Sequence, residues 1–162
     1  MILIDTSVYI AAAQYVELEK LLDDLSQKIF IQSCDVVEEE IHDSLEFLRK
    51  TDRKQQAEEL GLVYAKLHKG NIAKSERIFN LALEYHKEAQ LSKNQHKDIE
   101  NDFLIVASAS VASVQTILSL SRKTMASEEM VKVYNLVNPR NKYKTPKFLT
   151  SREALSQFLK SL

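Results

Sequence analysis

Met1-Ile2-Leu3-Ile4-Asp5-Thr6-Ser7-Val8-Tyr9-Ile10 opens the chain with an apolar run, a carboxylate, two hydroxyls and a second apolar run. Such a run broken at once by polar residues reads as a short buried strand, a polar turn and then a helix. A strand of this kind suits a parallel sheet, in which both faces are covered. Ligands of open sheets in this class bind outside the carboxyl ends of strands, and Asp5 stands at such an end. An Asp there is also in place to cap the following helix, which is the commoner use.

The rest of the chain extends this pattern. Val16, Leu18, Leu21, Leu22 and Leu25 predict a helix over 16–27, and Lys28 to Ile31 a second short strand, with Ser33, Cys34 and Asp35 as helix-entry signals. Val36, Val37, Ile41, Leu45 and Leu48 share one face of the next helix, and Glu40 lies at the edge of that stripe. Two more helical patterns, about 52–69 and 73–91, are separated by Gly70-Asn71. Beyond Asp98, the segment Asp102 to Ser110 is apolar or small around most of its circumference and predicts a buried helix. Thr116 to Ser119 and Val131 to Tyr134 read as strands, Pro139 to Pro146 as a basic turn and 151–160 as a closing helix. The expected architecture is a three-layer α/β/α sandwich around a central, mainly parallel sheet of four to five strands. It forms a single domain over 1–162, with a helical pair at about 52–97.

Composition excludes several alternatives. At 162 residues the chain suits one domain, and no apolar run approaches the roughly 18 residues of a membrane span. Asp5 interrupts the first apolar stretch and no basic leader or cleavage site accompanies it, so a cytoplasmic location is expected. Only Gly61 and Gly70 are glycines, which excludes the glycine-rich phosphate loop, the dinucleotide turn and the nucleophile elbow. The lone Cys34 excludes an internal disulfide and leaves a cysteine nucleophile as a formal option. His42, His68, His86 and His96 have no metal-ligand spacing. Net charge is −1, yet residues 1–60 hold 6 Lys and Arg against 14 Asp and Glu, and residues 61–162 hold 16 against 9. That polarity fits an acidic site beside a basic surface, and equally fits differently charged solvated helix faces.

Three carboxylates are placed for chemistry: Asp5 at a strand end, Glu40 at a helix edge and Asp102 at the start of the most apolar helix, where the dipole alone favours an acid. Carboxylates from separate elements can converge on one point in this fold. Oxygen ligands of that kind suit Mg²⁺ or Mn²⁺, held by few carboxylates and several waters. Such an ion polarises a phosphodiester and supplies a hydroxide nucleophile.

Three segments, Met1 to Val8, Val36-Val37-Glu38-Glu39-Glu40-Ile41 and Asp102 to Ala109, resemble in order and spacing the successive motifs of the PIN-domain nucleases. Thr145-Pro146-Lys147-Phe148-Leu149 is similar to that family's C-terminal ending. The resemblance implies a metal-dependent, single-strand-specific endoribonuclease, often a homodimer, whose small prokaryotic members are frequently toxins paired with an antitoxin protein. It implies that Asp5, Glu40 and Asp102 bind the metal, with Glu39 the alternative to Glu40 if the register differs by one. Thr6, Ser7, Ser119 and Ser121 are then the hydroxyls expected on the substrate side of the pocket. The family's usual fourth acid, or Asn, corresponds here to Ser121. A hydroxyl is a poor substitute for a carboxylate, which puts a second metal in question. Asp98, four residues before Asp102, shares its face if the helix extends that far, and would supply the missing charge.

Lys66, Lys69, Lys74, Arg77 and the segment Arg140 to Lys144 are candidate phosphate contacts, with Tyr143 available to stack on a base. The competing reading is a non-catalytic PIN-like RNA-binding or protein-interaction module. A phosphatase using Asp5 as nucleophile fares worse, because the acid usually found two residues later is Ser7.

Overall fold

The computed structural model describes residues 1–90 and 93–162, the side chains of 93–98 excepted. β1 (Ile2–Ile4) leads directly into α1 (Thr6–Ala12) and α2 (Val16–Lys28). β2 (Ile31–Cys34) is followed by α3 (Asp35–Lys50) and α4 (Lys54–Leu67), and β3 (Gly70–Ile72) by α5 (Glu76–Ala89) and α6 (Lys93–Val111). β4 (Thr116–Leu118), α7 (Glu128–Arg140), β5 (Lys147–Leu149) and α8 (Arg152–Ser161) complete the chain.

The five strands form one parallel sheet in the order β3-β2-β1-β4-β5. Ile2 is in register with Ile31 on one side and Thr116 on the other, and Ile4 with Leu118. Ile2, Leu3, Ile4, Ile31, Ile117 and Leu118 are buried, as central strands covered on both faces require. Each such side chain contributes roughly 1.5–3 kcal/mol by leaving water. The helices pack in two groups: α1, α2, α4 and α8 on one another, and α5 and α7 with α6, while α3 touches both. The chain first winds from β1 outward to β2 and β3, then returns to β4 on the other side of β1. The topological switch point therefore lies between the carboxyl ends of β1 and β4.

Four sequence expectations need correction. The stretch Val131 to Tyr134 is not a strand but lies inside α7. Its Val133 and Tyr134 belong to a helical set, Met130, Val133, Tyr134 and Val137, buried along one face. Ser127 caps that helix by accepting from the Met130 amide, and buried Asn138 donates to Ser110 and Thr145. Secondly, β2 begins at Ile31, three residues later than the expected start at Lys28, because α2 continues through Lys28. Thirdly, Gly70-Asn71 is not a break between two helices but belongs to edge strand β3, with only Ile72 to signal it. A Cβ on Gly70 would run into the Gln32 and Phe30 side chains. The expected helical pair is thus divided by a strand, with α4 packing on α3 and α1, and α5 on α6 and α7. Fourthly, Asp102 does not open a helix: α6 starts at Lys93, some 13 Å earlier at 1.5 Å per residue.

Candidate functional site

Asp5 occupies the N-cap position of α1 with extended backbone, but its side chain makes no cap hydrogen bond. The carboxylate turns to the switch point instead. Its Oδ2 accepts from Ser7 Oγ at 2.6 Å, Ser119 Oγ at 2.8 Å and Ser121 Oγ at 3.5 Å. Asp5 is 4% exposed, so this set of hydroxyls replaces much of the water an ionised carboxylate would otherwise hold. Parallel pairing of β1 with β4 is what brings Ser119 to Asp5, and the Asp5 amide continues that ladder by donating to the Leu118 carbonyl at 2.9 Å.

Glu40 reaches the same region from α3. Thr6 Oγ1 donates to its Oε2 and Asn101 Nδ2 to its Oε1 at 2.9 Å, so both carboxylate oxygens are held. Burial raises the Glu40 carboxyl above its ordinary range against the effect of these two donors, and the charges of Asp5 and Asp43 raise it further. Its neighbour Glu39 is exposed and paired with Lys74 at 2.6 Å. Of the two, it is Glu40 whose carboxylate senses the charge of Asp5.

Asp102 lies midway along α6, next to Asn101. Burial raises its carboxyl to about 6, opposed by hydrogen bonds from Thr124 and the Met125 amide, and reinforced by the charges of Asp5 and Glu40. The charge of Asp5 thus reaches both Glu40 and Asp102, and that of Glu40 reaches Asp102. Asp98 lies one turn earlier on α6, but its side chain is outside the described residues, as is that of His96.

Ser7, Ser119, Ser121 and Thr6 all point at carboxylates, which makes them orienting groups for Asp5 and Glu40. Asn101 and Thr124 carried no sequence signal of their own: one is adjacent to Asp102, the other is a loop residue brought in by tertiary folding. Among the described residues, no three His, Cys, Asp or Glu side chains are grouped tightly enough to cage a metal alone. The chemistry of the donor set does suit a hard cation: three carboxylates of like charge, two of them raised by burial and by the charge of neighbouring acids.

The remaining candidates are placed elsewhere. Cys34 is buried beside Ser108, and burial pushes its thiol up to about 11, which leaves it inert as a nucleophile. His68 stacks on Tyr64, and His86 lies edge-on to Phe103. The basic turn between α7 and β5 precedes the start of β5 and so sits at the opposite edge of the sheet from the acids. Arg140 there pairs with Glu88 at 2.9 Å, and Tyr143 packs against the core. Lys66 is taken by Asp23 at 2.6 Å and Lys69 donates to the Ser26 carbonyl. No helix among the described residues is long and apolar enough to cross a membrane.

No family model and no curated protein matches the sequence. In structure the chain is similar to a chain in the crystal structure of VapBC2 from Rickettsia felis bound to a DNA fragment from their promoter. That likeness has a TM-score of 0.60 at 16% identity and covers 92% of this chain and 98% of the other. The five-stranded parallel sheet with its flanking helices is a PIN-like fold.

Proposed function

We propose that this protein is a metal-dependent endoribonuclease that hydrolyses phosphodiester bonds in single-stranded RNA. The observation that supports the reading is the interaction of three acids near the switch point of a PIN-like sheet, one just after β1, one on α3 and one on α6: the charge of Asp5 raises the carboxyls of Glu40 and Asp102, and that of Glu40 raises Asp102 further. Asp5, Glu40 and Asp102 would hold Mg²⁺ or Mn²⁺, and the bound ion would polarise the phosphodiester and lower the pKa of an attacking water. The chain's own hydroxyls and amides supply the geometry. Ser7, Ser119 and Ser121 fix Asp5 through Oδ2, and Thr6 with Asn101 fixes Glu40. The likeness to a chain of VapBC2 supports a toxin role with an antitoxin partner, and the expected setting is the cytoplasm, as a homodimer.

Cleavage of single-stranded RNA should require added Mg²⁺ or Mn²⁺ and disappear in Asp5→Asn without a fall in melting temperature. Wild-type-like cleavage by that variant would remove Asp5 from the site. A second reading, a non-catalytic RNA-binding or protein-interaction module, draws on Ser121 standing as a hydroxyl donor to Asp5 in place of a further acid. It predicts binding with no metal-dependent turnover.

A further inference from the structure

The acids alone would repel a polyanion, and the cations that sequence offered as phosphate contacts are already paired, at the far edge of the sheet or, for Arg77, set among the acids outside β2 and β3. The loop between β4 and α7 is different, because the site itself holds it in place. Ser7 Oγ accepts from the Leu120 amide and Ser119 Oγ from the Ser121 amide, each at 3.1 Å. Farther along the loop, Thr124 and the Met125 amide donate to Asp102. Between those two anchor points stand Arg122 and Lys123, both exposed. Arg122 Nε donates to the Thr150 carbonyl at 2.7 Å, which seats the guanidinium over the carboxyl end of β5. Arg152, exposed at the start of α8, lies on the same end, and both arginines act on Glu153, whose carboxyl is lowered first by its own amide and Ser151.

The other flank is net acidic. Outside β2 and β3 stand Asp35, Glu38, Glu39 and Glu76 against Lys74 and Arg77. Lys74 Nζ is engaged by both oxygens of Glu39 at 2.6 and 2.7 Å, and Asp35 accepts from Asn71 and the Lys74 amide. Glu128 and Glu129 follow the β4–α7 loop, at the first turn of α7, where the positive end of that helix offsets them.

We propose that Arg122 and Lys123, supported by Arg152, bind the phosphate backbone of the RNA, so that the strand leaves the acids over β4 and β5 and avoids β2 and β3. This rests on the nuclease reading and adds the direction of the substrate to it. Each phosphate contact to a single strand contributes about 0.7 to the slope of log affinity against log salt.

The test is fluorescence anisotropy of a short single-stranded RNA over a salt series with Mg²⁺, in the Asp5→Asn background so that the strand stays intact. Arg122→Gln with Lys123→Gln should lower the slope by about 1.4. Arg122→Lys with Lys123→Arg should restore it, and Lys142→Gln with Lys144→Gln, at the far edge, should leave it unchanged. An unaltered slope in the first variant, or an equal fall in the far-edge variant, overturns the assignment even if the wild type cleaves RNA. Absence of both RNA binding and metal-dependent cleavage overturns the nuclease reading, and this assignment with it.

Discussion

Ser119 Oγ and Asp5 Oδ2 meet at 2.8 Å across 114 residues of sequence, joining the carboxyl ends of the two strands that flank the switch point. Ser119 is fully buried and also accepts from the Ser121 amide, so one hydroxyl fixes both the carboxylate and the start of the β4–α7 loop. Removing it leaves a part-buried amide and a buried carboxylate each short of a partner. Ser119→Ala should therefore cost about 1–3 kcal/mol by chemical denaturation, more than a typical surface change. A loss within about 0.5 kcal/mol of zero would show that water replaces the hydroxyl.

Asp102 gives a pH signature. Its folded-state carboxyl is raised above the unfolded range to about 6, so its contribution to stability is fully present below about pH 4 and is lost as pH rises through 6. At neutral pH the buried charge is a cost. Asp102→Asn should then raise stability at pH 7.5 by on the order of 1–3 kcal/mol, allowing for partial exposure, and change it little at pH 4. Melting curves at the two pH values decide this; equal shifts at both would remove the carboxyl's burial as the cause.

Much of this site is legible in the sequence because its acids mark element boundaries or stripes. Asp5 ends an apolar run, and Glu40 sits at the edge of the Val36, Val37, Ile41 stripe. Asp102 is visible as a carboxylate beside the most apolar segment, but the dipole account of it fails because the mostly polar residues 93–101 are helical too. β3 escapes notice since its pairing with β2, and not its composition, makes Gly70-Asn71-Ile72 a strand. The true partners of the acids, Asn101, Thr124 and the loop amides, are set by tertiary contacts that no local pattern encodes. The same holds for basic residues: Arg140 to Lys144 is the denser run, yet folding puts it at the end of the sheet away from the acids.

Glu40 depends on two donors from different elements. Asn101→Ala removes the donor to Oε1 and leaves Thr6 on Oε2, freeing the carboxylate to rotate. Mn²⁺ affinity by calorimetry should fall about 10–100-fold, the usual effect of losing an orienting partner of a ligand. Asn101→Asp, which keeps the shape but replaces the donor with a charge, should not restore Glu40's orientation. Unchanged affinity in the alanine variant would mean that Thr6 alone suffices.

Ser121→Asp tests the missing acid directly. The Ser121 hydroxyl lies 3.5 Å from Asp5 Oδ2, so a carboxylate there would add a fourth negative charge at close range, in a loop already pinned by the Ser121 amide. In chelator the variant should be less stable than wild type by about 1–2 kcal/mol at pH 7.5, since like charges at this range cost on the order of kcal/mol at an effective dielectric near 20. Saturating Mn²⁺ should reverse the order: ligand at 100 times its dissociation constant stabilises by about 2.7 kcal/mol, and the added acid should tighten that constant. Calorimetric stoichiometry then separates a tighter single ion from two ions. A destabilisation that Mn²⁺ fails to recover would place residue 121 outside the cation's reach and confine its role to orienting Asp5.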